Sequence, residues 1–405
     1  MIKRILYTLL IMFPVVASAQ INTDRVMAIG RNALYFEDYV LSIQYFNQVI
    51  NAKPYLSDPY FYRGLAKINL DDFQGAESDC SEAIERNPFV VSAYQVRGLA
   101  RIQQNNFAGA IEDYTKALEF DPENIGVWHN MALCRIRQED YKGAKNDLDK
   151  LIAISPRYTK AYLMRGEVDL KQKDTLAAEK DFGKAIEIDR YDADTWASRA
   201  ILRLQQQRYK DAEADFDHAI RLSTRNSGVY INRALARYHQ NNLRGAMSDY
   251  DIALDIDPNN FIGHYNRGLL RAQVGDDNRA IQDFNFVIEM EPDNMMAIFN
   301  RGLLLDQTGD YKGAIKDYST VINEYPNFLL GYQYRAQARR KIGDVKGADA
   351  DEFKVLKAQL DKQNGVDPNK QTADNTENNK TRKKSDKNMN NYRKIVVADN
   401  EEGEE

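Results

Sequence analysis

A small residue returns every thirty-four positions along this chain. Gly30, Gly64, Gly98, Ala132, Gly166, Ala200, Ala234, Gly268, Gly302 and Ala336 follow one another at that interval without an insertion. Twelve positions after each comes a second small residue, Ser42 in the first copy and alanine from Ala76 through Ala348 in the others. Proline at 54, 88, 122, 156, 258, 292 and 326 closes most units, and Arg190 and Thr224 replace it without disturbing the period. So regular a repeat means one supersecondary unit used again and again, each unable to bury its apolar face alone, so that neighbours must stack to make a core. A chain of 405 residues is also too long for one ordinary core, and an array removes that difficulty.

Each unit reads as two helices. In the third copy they run near 91–104 and 107–120, joined by Asn105-Asn106, a joint short enough to force them antiparallel. Tyr94, Phe107, Tyr114 and Ala117 recur at helical spacing as an apolar stripe, and Gly98 and Ala110 mark close helix approach. The fold expected is therefore all-α: an α-α superhelix, or solenoid, of ten helix-turn-helix repeats beginning near 23, 57, 91, 125, 159, 193, 227, 261, 295 and 329. The position that faces the next repeat holds Phe46, Cys80, Tyr114, Leu148, Phe182, Phe216, Tyr250, Phe284 and Tyr318, then Glu352 in the last copy, where a polar residue suits the end of a stack. Cys80 and Cys134 fall on packing faces two repeats apart and are expected to be buried free thiols.

Opposite charges sit inside this packing surface sixteen residues apart. The pairs are Arg63 with Asp79, Arg97 with Asp113, Arg165 with Asp181, Arg199 with Asp215, Arg233 with Asp249, Arg267 with Asp283, Arg301 with Asp317 and Arg335 with Asp351. Residues eight before and eight after the turn of an antiparallel hairpin stand level, so each pair is predicted to close within its own repeat as a structural ion pair, with a bifurcated contact to the neighbour open as an addition. Pairing with the preceding repeat is the competing geometry, but it sets Arg63 opposite Tyr45. Met131 interrupts the series and leaves Asp147 or Asp113 short of a partner.

With these residues in hand, the chain resembles the tetratricopeptide repeat family, whose signature runs aromatic, Leu-Gly, Tyr, Ala, aromatic, Pro over thirty-four residues. The opening aromatic stands at Tyr60, Tyr94, Trp128, Tyr162, Trp196, Tyr230 and Tyr332, while Val26, His264 and Ile298 depart from it. The resemblance implies a groove lined by first helices that holds an extended segment or helix of a partner protein. Residues placed in that groove are Phe61, His129, Arg137, Leu163, Lys171, Ile231, Tyr265 and Phe299, with glutamines at 103, 205, 273 and 307. Aromatic anchors beside amides suit peptide recognition, since rings bury area and amides satisfy a backbone.

The ends read differently. Residues 1–19 carry Lys3 and Arg4, an apolar run and Ala17-Ser18-Ala19, the arrangement of a cleavable signal peptide, so a periplasmic or secreted location is expected, with no stable membrane insertion after cleavage; the alternative is an uncleaved anchor, which Pro14 and the short apolar run disfavour. Residues 20–362 make the array, and 363–405 read as a disordered polar tail, nearly devoid of apolar residues as far as Lys394, with Ile395-Val396-Val397 between a basic and an acidic stretch and a docking peptide as the alternative to a solvated tail. A formal charge of −5 with interspersed signs gives no reason to expect nucleic acid. His129, His218, His239 and His264 lie in different repeats, and no metal, nucleophile or phosphate-binding motif appears, so no cofactor or catalysis is expected. The function expected is a non-catalytic protein-interaction scaffold or adaptor of the bacterial cell envelope; the alternative is a module binding glycan or cell-wall fragments.

Overall fold

A computed structural model describes residues 22–222, 225–364 and 389. The expected signal segment lies outside the described residues, as does the tail apart from Gln363, Asn364 and Met389. Among the described residues the elements are helices, with no strand, and they divide into two compact units after Ile188. The thirty-four-residue period does not mark this division.

Unit 1 consists of five hairpins: α1 (Thr23–Tyr35) with α2 (Tyr39–Ala52), α3 (Asp58–Ile68) with α4 (Phe73–Arg86), α5 (Val91–Gln103) with α6 (Phe107–Phe120), α7 (Ile125–Arg137) with α8 (Tyr141–Ile154), and α9 (Thr159–Lys171) with α10 (Thr175–Ile188). Unit 2 repeats the plan: α11 (Ala193–Gln205) with α12 (Tyr209–Arg221), α13 (Ser227–His239) with α14 (Leu243–Ile256), α15 (Phe261–Gln273) with α16 (Asp277–Met290), α17 (Met295–Thr308) with α18 (Tyr311–Glu324), and α19 (Leu329–Lys341) with α20 (Val345–Gln363). Within each unit the helices of a hairpin pack on each other and each second helix packs on the next first helix, which is solenoid stacking. First helices of successive hairpins also touch, α1 with α3 and α5 with α7 in unit 1, α15 with α17 and α17 with α19 in unit 2. Closer approach along the first helices makes theirs the inner side of each stack.

The turn inside each hairpin has one solution. Its last residue caps the second helix in all copies but those of Arg208 and Asp276, as when the Asn106 side chain accepts from the Gly109 amide at 3.1 Å and that of Asp310 from the Gly313 amide at 3.0 Å. The residue before the cap is left-handed in every copy, at Glu37, Asp71, Asn105, Glu139, Lys173, Gln207, Asn241, Gly275, Gly309 and Gly343. Only the last three are glycines, and Lys173 at φ 64 carries backbone strain that a side chain with a Cβ does not escape. Lys173→Gly is therefore expected to stabilise the array by about 0.5–1 kcal/mol, the relief of strain exceeding the added freedom of the unfolded chain. Gly309→Ala, at φ 92 with open space around it, should lose about 1 kcal/mol. Urea denaturation of the two variants checks both signs.

The small positions serve as expected. A Cβ on Gly98 would lie 2.8 Å from the Tyr114 ring, and Ala110 and its counterparts from Ala76 to Ala348 are buried. The side chains predicted to face the next repeat are fully buried from Phe46 to Tyr318. Cys80 and Cys134 are buried free thiols, each pushed up to about 12 by burial. Glu352 is exposed at the end of the array and pairs with Arg340 at 2.7 Å. Beside it Leu356 is 52% exposed, whereas its counterpart one repeat earlier, Ile322, is 2% exposed.

Candidate functional site

All eight predicted Arg–Asp pairs close within their own hairpins. Arg63 donates to Asp79 through Nε at 2.8 Å and Nη2 at 2.5 Å, and Arg335 grips Asp351 the same way at 2.9 and 2.6 Å. Such forked contacts fix orientation as well as distance. In most of the pairs the third nitrogen crosses to the preceding hairpin, two residues past its paired aspartate: Nη1 of Arg97 reaches Ser81 at 3.1 Å, that of Arg233 reaches Asp217 at 2.8 Å, and that of Arg301 reaches Asn285 at 2.9 Å. A second cation one turn along often shares the carboxylate, as Arg101 does on Asp113 at 3.0 Å and Arg271 on Asp283 at 2.8 Å. Arg101 also reaches back to Glu77 at 2.8 Å, and Arg237 to Glu213 at the same distance. At the equivalent positions of the α8–α9 contact the signs are reversed, with Lys145 on Asp169 at 2.5 Å.

Where the ladder is broken, the cost falls on Asp147. Met131 offers it nothing, and Arg135 lies 3.1 Å away without being aimed to donate to the nearer oxygen. Burial pushes this carboxyl up to about 6, with Arg135 opposing and Asp140 reinforcing the shift. Asp283 is as deeply buried, but hydrogen bonds and charge from His264, Arg267 and Arg271 overcome that burial and hold it below the ordinary value.

Several of the opening aromatics bond back to the turn before their hairpin. The indole of Trp128 donates to the Pro122 carbonyl at 2.8 Å, Tyr162 to that of Pro156 at 3.1 Å, and Trp196 to that of Arg190 at 3.0 Å. Nε2 of His264 lies 3.0 Å from the Pro258 carbonyl, so the histidine that departs from the aromatic pattern takes over the same contact. The ladder arginines stack against these rings, Arg97 at 5.6 Å from the Tyr94 centroid and Arg199 at 5.1 Å from that of Trp196. His218 and His239 stack on Trp196 and Tyr209.

The residues expected in the groove fall into two groups. In unit 1, Phe61, His129 and Leu163 are half-buried on the inner side of the first helices, while Arg137 and Lys171 are exposed at the C-terminal ends of α7 and α9. Nδ1 of His129 sits 3.3 Å from the Tyr158 hydroxyl, and burial followed by the charge of Lys160 lowers its pKa. In unit 2, Ile231, Tyr265 and Phe299 are buried among other side chains rather than open: Tyr265 lies edge-on to Phe284, and Phe299 touches Tyr318, Phe328 and Tyr334. These three therefore differ from the expected open surface, because the space over them is filled.

Sequence reasoning passed over the next position along each first helix. Asparagine stands there at 130, 232, 266 and 300, and Asn232, Asn266 and Asn300 are buried. Asn300 donates to the Met296 carbonyl at 2.9 Å and lies 3.4 Å from the Tyr265 hydroxyl. The signal was available, since three of the four follow one another at the repeat interval. Half-buried Met296, Leu303 and Tyr334 flank this row.

Models of the tetratricopeptide repeat match residues 125–158, 159–192, 198–261 and 265–327, and a model of the TPR repeat matches 98–134. The chain has no match among curated proteins. Solved structures similar to it include a tetratricopeptide repeat protein from Parabacteroides merdae, at 21% identity over 62% of this chain and 98% of that one with a TM-score of 0.47. Another is the C-terminal part of a TPR repeat-containing protein from Cytophaga hutchinsonii, at 18% identity over 57% and 95% with a TM-score of 0.48. A third is YrrB, described as a TPR protein with an unusual peptide-binding site, at 18% identity over 45% and 95% with a TM-score of 0.42. With the matched segments covering more than half of its length and the hairpins in place, this chain belongs to the tetratricopeptide repeat family.

Proposed function

We propose that the chain is a non-catalytic scaffold of the bacterial cell envelope that holds an extended segment of a partner protein along its first helices. The observation that supports this most directly is the row of open apolar side chains along the first helices of unit 1, with Leu99 39% exposed and Phe61, Leu65, Leu133 and Leu163 half-buried. Apolar side chains open at a fixed interval along one face of a stack can accept the side chains of an extended segment. The envelope location rests on the signal-like residues 1–19. Among the described residues no helix is long and apolar enough to cross a membrane. A glycan-binding module would use open rings, and Tyr265 and Phe299, two of the rings expected to line the groove, are buried at 4% and 0% exposure.

Selection of displayed peptides on the full chain, followed by titration of the enriched sequences, tests the reading. Leu99→Glu in unit 1 and Leu303→Glu in unit 2 place a charge on each inner face in turn. One of the two is expected to weaken the selected peptide by about tenfold or more with helicity unchanged. Peptides indifferent to both substitutions, or no enrichment at all, would sink it.

A further inference from the structure

Met389 lies far along the polar tail, yet it is 2% exposed. It belongs to a buried cluster with Phe299, Tyr318, Val321, Phe328 and Ala338, side chains of α17, α18, α19 and the turn between the last two. Twenty-four residues separate it from Asn364 at the end of the last hairpin, and at about 3.3–3.6 Å per residue that length can return to α17 with ease.

A second observation comes from comparing equivalent positions in the two units. The fifth position of the repeat is half-buried in unit 1, at Phe61, His129 and Leu163, and buried in unit 2, at Ile231, Tyr265 and Phe299. The second position is exposed in unit 1 at Asp58, Ser92, Gly126 and Lys160, but buried at Gly228 and half-buried at Ile262, Met296 and Leu330 in unit 2. Residue size does not account for this, because Gly126 and Gly228 are the same residue with opposite exposure. From α13 to α17 the inner face of unit 2 is less exposed than the same positions of unit 1, whereas Asp194 on α11 is exposed and Gln333 on α19 is half-buried. Met389 is a described residue seated at the less exposed face.

We propose that the segment around Met389 is a ligand in cis for the inner face of unit 2, anchored by its methionine among Phe299, Tyr318 and Phe328, so that a partner segment must displace it. This rests on the peptide-groove reading and names the first occupant of that groove. The sequence around the anchor, Lys387-Asn388-Met389-Asn390-Asn391-Tyr392, suits such a ligand, with one flexible thioether for an irregular apolar site and amides on either side. The tail holds its own effective concentration at the groove, so weak contacts suffice to occupy it until a tighter segment arrives.

Alkylation of an introduced thiol tests this on the full chain. Cys80 and Cys134 are buried with raised pKa values and stay silent. The thiol of Met389→Cys is expected to react about tenfold or more slowly than that of Leu360→Cys, a position 48% exposed, and an excess of a selected groove peptide should speed it. In the same design, a fluorescent peptide of residues 380–397 should bind the Met389→Glu chain about tenfold tighter than the wild type, whose own tail competes. Reaction as fast as at Leu360→Cys while selected peptides still bind would overturn the docking and leave the groove reading standing. Protection that no groove peptide relieves would overturn the competition.

Discussion

Asp113→Ala is expected to destabilise the array by about 3–5 kcal/mol, because it strands two cations in a packed interface. Arg97 loses contacts of 3.1 and 2.6 Å and keeps Ser81 and the Tyr94 ring, while Arg101 loses one of 3.0 Å and keeps Glu77 and the Gly109 carbonyl. Arg97→Ala should cost less, since Arg101 remains on the carboxylate. The double variant Arg97→Leu/Asp113→Leu is expected to recover much of the loss, as two apolar side chains of similar bulk remove the desolvation penalty together with the attraction. Urea denaturation gives the magnitudes, and hydrogen exchange should localise the loss to α5, α6 and their immediate neighbours, because each hairpin touches only the next. Equal losses in the single and double variants would mean that the pair is not the unit of stability.

At the break in the ladder, a substitution should gain stability instead. With a folded pKa of about 6 against about 3.9 unfolded, Asp147 binds its proton more tightly in the folded state. Its favourable contribution is therefore present below about pH 4 and is lost as pH rises through about 6, leaving at pH 7 a penalty of up to about 3 kcal/mol. Asp147→Asn is expected to recover about 2 kcal/mol at pH 7 and almost nothing at pH 4. Met131→Arg should act in the same direction by a different route, since the equivalent arginines fork their aspartate and Thr115 stands where Ser81 receives Nη1 of Arg97. Denaturation midpoints from pH 4 to 7 check both: a wild-type curve with the same slope as Asp147→Asn would refute the assignment.

Much of this architecture is legible in the chain itself, because the forces that set it are local or repeat at a fixed interval. Gly98 and Ala110 announce close approach, and the sixteen-residue offset of Arg97 and Asp113 follows from antiparallel helices about a midpoint. What escapes depends on contacts between repeats or far along the chain. The Nη1 partners of Arg97, Arg165, Arg233, Arg267, Arg301 and Arg335 sit two residues past the preceding aspartate, a shift that the period alone does not reveal. Lys173 and Gln207 in left-handed turns are invisible because those residue types give no conformational cue. Ile231, Tyr265 and Phe299 share a repeat position with Phe61 and Leu163, so a pattern in the residues cannot tell a filled groove from an open one. Met389, one apolar residue amid lysines and asparagines, is too sparse a signal to predict burial.

The reversed pair on α8 and α9 has a consequence for how a self-similar molecule finds its proper order. Ten near-copies on one string could dock out of sequence, each hairpin accepting a neighbour from the wrong place. Lys145 and Asp169 make one junction unlike those of Glu77 with Arg101 and Glu213 with Arg237. If α4 were to accept α9, Glu77 would confront Asp169; if α8 were to accept α13, Lys145 would confront Arg237. The inversion thus works as an address label, rejecting shuffled partners through repulsion where shape alone would admit them.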